Sequence, residues 1–125
     1  MRKQYSFWPG DEGLDAWDVD KVIELARCLP IEEVDIDSID QVDTNYWFSD
    51  DLWPPTVRLI VEHVQLIQEV DTSFPVVLGP GGRVMDGMHR LARAMLDGRS
   101  TINAVRLEDL PPADYRNCTP RDLPY

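Results

Sequence analysis

Between Pro75 and Gly98 the chain reads PVVLGPGGRVMDGMHRLARAMLDG, and its breakers leave few folding choices. The apolar run Pro75 to Leu78 is too short for a helix and ends at Gly-Pro-Gly-Gly. A second short run, Arg83 to Met85, stops at Asp86-Gly87. Leu91, Ala92, Met95 and Leu96 then recur at helical spacing until Gly98 supplies a C-terminal stop. The segment is therefore expected to be strand, tight turn, strand and helix. The first backbone N–H groups of such a helix have no internal partner, and the dipole is positive there. His89 and Arg90 fall in its first turn and Arg93 one turn on. Positive charge at that end opposes the dipole, so the placement points to a bound anion rather than to helix stability.

The run Asp86-Gly87-Met88-His89-Arg90 follows Pro75–Leu78 and Gly82-Arg83-Val84 and precedes Leu91-Ala92-Arg93-Ala94. This pattern resembles the ParB/sulfiredoxin superfamily. The similarity covers roughly Ile31 to Leu107, and its specific part is Val84 to Ala94. The resemblance implies an α+β fold, a small mixed sheet packed by about three to four helices. In sulfiredoxins the matching Gly-x-His-Arg turn binds ATP phosphates and carries the reactive cysteine at x. In ParB proteins the related turn binds CTP, and free serine kinases use a similar Asp-Gly-x-His-Arg element with a nucleotide. Here x is Met88, and a thioether cannot act as the sulfiredoxin nucleophile. The implied ligands are ATP, ADP or CTP with Mg²⁺, leaving open an NTPase or a small-molecule phosphotransferase.

On that resemblance each residue acquires an expected role. The amides of Met88, His89 and Arg90, opened by Gly87, would receive phosphate oxygens. The Arg90 guanidinium would add a bidentate contact, Arg93 would neutralise a second phosphate, and His89 would donate to a phosphoryl oxygen. Asp86 would orient a metal or water or hold the imidazole tautomer; its alternative is a turn carboxylate capping the helix. Thr72 and Ser73 would contact phosphate or ribose, although a turn uses their hydroxyls equally well. The run IEEVDI at Ile31 to Ile36 reads as a strand. The kinases place a catalytic glutamate in a comparable region, which nominates Glu33 or Glu32 as base. The bland alternative is a pair of solvent-facing acids on an edge strand.

Charge narrows the partners. Among 125 residues there are 12 basic and 23 acidic side chains, a net −11. Five basic residues stand against 17 acids before Arg83, and seven against six from there on. Such a surface repels nucleic-acid phosphates, and no DNA-reading module accompanies the turn, so duplex DNA is disfavoured as a partner. An acidic face suits a basic protein, which keeps open a non-enzymatic interaction role of antitoxin or immunity type. No apolar run approaches 18 residues and the start lacks an apolar signal core, so a cytoplasmic protein is expected. Cys28 and Cys118 make no metal spacing, and no metal site is assigned.

Length favours one domain over residues 1–125 with its core at about 31–107. Residues 1–13 read as an N-terminal arm whose Tyr5, Phe7 and Trp8 pack on the body. Residues 108–125, rich in proline, read as an extended tail. A helix capped by Asp18 or Asp20 runs to about Leu29, with Val19, Val22, Ile23, Ala26 and Leu29 facing the core. Another opens at Pro54-Pro55-Thr56 and reaches about Val70, with Val57, Ile60, Val61, Val64 and Ile67 on its apolar face. His63 lies off that face and reads as exposed. Tyr46, Trp47, Phe48 and Trp53 in the irregular stretch Asp43 to Pro55 are expected to be largely buried, with Tyr46 or Trp47 a candidate pocket wall. Thr101 to Leu107 reads as the last strand.

Overall fold

The computed structural model describes residues 3–125. Its main sheet is four-stranded and mixed. β3 (Glu32–Asp35), β4 (Val76–Leu78), β5 (Val84–Asp86) and β6 (Thr101–Arg106) lie in the order β3-β6-β4-β5. β4 runs parallel to β6, while the β3/β6 and β4/β5 pairs are antiparallel. The parallel pair demands a crossover, and the chain makes it through β5 and the helix α3 (Met88–Leu96). The sequence pattern from Pro75 to Gly98 is thus realised as strand, turn, strand, helix. The fold is α+β, with three helices and two small sheets.

Each face of the main sheet has its own apolar layer. On one, Met88, Leu91 and Ala94 of α3 meet Val76, Leu78, Val84, Ile102 and Ala104, with Ile36 and Ile39 closing the edge. On the other, Val22 and Ala26 of the helix α1 (Val19–Ala26) meet Val77, Met85 and Val105. Alternation along each strand sends successive side chains to opposite layers. Asp18 caps α1, its carboxylate accepting from the Asp20 amide at 2.9 Å. The helix ends at Ala26, and Ile23 and Leu29 remain exposed.

The expected N-terminal arm and Pro-rich tail are corrected by a second sheet. Met1 and Arg2 lie outside the described residues. β1 (Tyr5–Pro9) forms an antiparallel hairpin with β2 (Leu14–Asp18), and β7 (Tyr115–Cys118), from the tail, pairs with β2. Ser6, Ala16 and Trp17 are buried, which fixes the hairpin on the body. The tail is held by polar contacts that no periodicity announces. The Trp17 indole donates to the Pro111 carbonyl at 2.8 Å, and the Asp114 carboxylate accepts from the Asp18 amide at 2.8 Å and from Lys21 at 2.7 Å.

The helix α2 (Val57–Glu69) departs furthest from expectation. Thr56 caps it, accepting from the Leu59 amide at 3.2 Å. None of its residues is buried, and Val57, Ile60, Val61 and Val64, expected in the core, face outward. The side turned to the body carries Leu59, His63 and Ile67, four residues apart and only partly covered. Among the described residues no helix is long and apolar enough to cross a membrane.

Candidate functional site

Asp86 ends β5, and Gly87 turns the chain into α3 with φ 104° and ψ 23°. Only glycine adopts that conformation without strain. A Cβ on Gly87 would also stand 2.8 Å from an Nη atom of Arg90, so the guanidinium lies directly against the turn. No side chain caps α3. By helix geometry the amides of Met88, His89 and Arg90 therefore point out of the mouth.

The charged residues of the turn are committed to one another. Arg90 donates from Nη2 to Asp86 Oδ2 at 2.9 Å and to the Pro75 carbonyl at 3.2 Å. Both side chains of the pair are about five-sixths covered. Arg90 Nε is buried with no partner, and a buried unpaired donor asks for an acceptor or an explanation. Asp86 is therefore the counter-ion of Arg90, which corrects its expected role of fixing the His89 tautomer.

His89 is held by two residues instead. Its Nε2 lies 2.8 Å from Nδ1 of His63, so one imidazole donates and the other accepts. Trp47 covers both rings, with centroid distances of 4.8 Å to His89 and 4.6 Å to His63 and interplanar angles of 13° and 21°. Phe48 meets His63 edge-on at 5.4 Å. Burial lowers the pKa of His89 to about 4, helped by His63 and Arg90, and burial also lowers that of His63. The pair is neutral at pH 7. Burial raises the Tyr46 phenol, with the Asp86 carboxylate adding to the shift.

The structure corrects several expectations of place. His63, read as exposed, is a central member of this cluster. Arg93 turns from the mouth and donates to the Gln68 carbonyl at 2.7 Å, capping the C-terminal end of α2, and to Asp97 at 3.2 Å. Ser73 donates its amide and hydroxyl to Asp71 at 2.9 and 2.6 Å in an exposed turn, where Thr72 is also exposed. Glu33 lies on the edge strand β3, opposite Asn103. Two strands separate β3 from β5, roughly 14 Å across the sheet. Glu33 also alternates onto the sheet face away from α3, so it is no base for this turn.

Beside the turn is a cavity of about 270 Å³, walled by Tyr46, Trp47, Phe48, Met88 and Met95, with Gln41, Thr44 and Asn45 supplying polar groups. Trp47 is thus both roof of the histidine pair and wall of the cavity. Among the described residues no three His, Cys, Asp or Glu side chains gather to hold a metal. The turn itself offers one carboxylate, already paired with Arg90, so a Mg²⁺ ion held by protein ligands does not fit here. No protein-family model, curated protein or solved structure matches the chain.

Proposed function

We propose that the chain is a binding domain of ParB/sulfiredoxin type for a nucleotide or another phosphorylated planar molecule. The phosphate would rest on the uncapped amides at the mouth of α3, and the ring would enter the cavity beside Trp47. The observation that carries this reading is the double position of Met88. It is the first residue of α3, at an end no side chain caps, and it is also a wall of the aromatic cavity. An anion seat and a slot for a flat ring therefore adjoin. A cavity of about 270 Å³ suits a base-sized ring and leaves ribose and phosphates at the surface. The Arg90 guanidinium, packed on Gly87 and paired with Asp86 through Nη2, would supply charge and a donor from Nη1 when an oxyanion arrives. The chemistry supported is binding; the two imidazoles are engaged in a hydrogen bond with each other, and a pKa lowered to about 4 makes His89 a weak general base for phosphoryl transfer.

Calorimetric titration with ATP, ADP, CTP and GTP, with and without Mg²⁺, tests it. At least one should bind saturably while the amide resonances of Gly87 to Arg90 and the indole of Trp47 shift together. Absence of saturable binding by any of them to the folded chain would remove the reading. A second reading, a basic protein partner, draws on the exposed carboxylates Glu33 and Asp35 of β3 and Asp37, Asp40 and Asp43 of the turns that follow it. Association of that kind should weaken steeply as salt is added.

A further inference from the structure

We infer that the chain pairs with a second copy of itself through α2, the two helices antiparallel about a two-fold axis that crosses them between Val61 and Val64. The outward side of α2 carries Val57, Ile60, Val61 and Val64 at the spacing of a helix–helix seam. Met95 and Leu96 of α3 extend it across a groove of about 560 Å³. Exposure is 81% at Val57, 44% at Ile60, 48% at Val61, 45% at Val64, 46% at Met95 and 69% at Leu96. These fractions leave on the order of 600 Å² of apolar surface per copy, so two copies bury about 1,200 Å², the lower bound for a stable pair. A patch of that extent is larger than the scattered apolar residues of ordinary surfaces.

Charge selects a like partner and its direction. The whole chain carries −11, yet α2 together with residues 91–99 holds three arginines against three acids. Contact through this face therefore joins the least acidic parts of two acidic molecules. Within α2, Arg58 stands in the first turn and Glu69 in the last, so each opposes the dipole of its own helix, and neither has an ion-pair partner among the described residues. An antiparallel copy reverses both penalties. It lays Val57 beside Gln68, Val61 beside Val64, and Arg58 beside Glu69 on the same flank, each charge then at the favourable end of the partner helix. A parallel copy would leave both penalties in place, each Arg58 lying beside the positive end of its partner.

Sedimentation equilibrium and light scattering of the whole chain at roughly 100 µM test the pairing. The unmodified chain should have the mass of two copies. Val61→Asp with Val64→Asp should reduce it to one, with the melting curve of a folded chain. Arg58→Glu, on the solvent flank where folding is not at stake, should raise the dissociation constant about tenfold, and Arg58→Glu combined with Glu69→Arg should restore it. A single-chain mass for the unmodified protein overturns the inference, as does a pair that survives both aspartates. Failure of the double exchange to restore association overturns the antiparallel arrangement.

Discussion

Lowering the pH from 7.5 to 5.0 should destabilise this protein through His63 and His89. They are its only histidines, so few other groups titrate in that window. His89 has an ordinary pKa of 6.5 and a folded value of about 4, lowered first by burial and then by His63 and Arg90. Because the folded value lies below the unfolded one, the unfolded chain binds the proton more readily between those values. Stability is then complete above pH 6.5 and falls as the solution is acidified towards 4. For His89 alone, at pH 5.0, the difference amounts to about 2 kcal/mol. The imidazole is only part-covered, and solvent screening reduces this to about 1 kcal/mol. His63 is shifted in the same direction and adds to it. The two rings share one hydrogen bond, so they titrate as a pair, the second proton being the harder to add. Urea unfolding at the two pH values should show the midpoint fall at pH 5.0 with an unchanged slope. In the chain carrying His63→Gln and His89→Gln the midpoint should barely move over the same interval. A fall that persists undiminished in that double variant would refute the assignment, as would a flat profile in the unmodified protein.

Gly87→Ala should cost about 1–3 kcal/mol, because the left-handed turn is strained for alanine and its methyl group would strike the Arg90 guanidinium; thermal unfolding measures it. Trp47→Ala should cost about 2–4 kcal/mol and, by uncovering the imidazoles, raise the pKa of His89 towards 6.5, readable from its ring-proton shifts with pH. Asp86→Asn should lower stability by about 1–3 kcal/mol by leaving the covered Arg90 charge without its counter-ion, whereas Thr56→Ala should cost only about 1 kcal/mol through loss of the α2 cap. Equal losses from those two substitutions would argue against a covered ion pair at the turn.

The elements that could be read from the sequence are those whose signals are local. Gly-Pro-Gly-Gly and Asp-Gly punctuate β4, β5 and α3 because a glycine turn admits little else. Asp18 and Pro30 bracket α1, whose apolar positions recur at helical spacing. The second sheet was illegible for a physical reason. Its third strand, β7, comes from a stretch of prolines and polar residues and is held by Asp114 and by the Trp17 bond to Pro111, contacts that join residues some hundred positions apart. Periodicity carries no trace of such pairings. The outward turn of α2 was hidden for the converse reason. Its apolar stripe looks like a core face, but the side that docks is chosen by His63, Ile67 and the Arg93 contact with its terminal carbonyl.

The same distinction runs through the candidate site. The helix mouth, its glycine and its basic residues were visible in Asp86 to Arg90, since a turn of five residues fixes its own geometry. The partners of those residues were not. An arginine four positions after an aspartate on a helix can reach it, and that spacing between Asp86 and Arg90 was the available sign that the guanidinium is spoken for. For His63 there was no local sign, because it lies 26 positions from His89 and meets it only when α2 crosses α3 beneath Trp47. This changes what substitutions at the turn can mean. His89 and Arg90 are not free surface groups of a cleft. Stacked, hydrogen-bonded and ion-paired, they also hold α2 and β5 to the body, so loss of ligand binding in an alanine variant is interpretable only beside its unfolding curve. Arg90→Lys separates the two effects: it keeps a charge near Asp86 but removes the planar donors, so it should weaken phosphate binding more than it lowers the melting temperature.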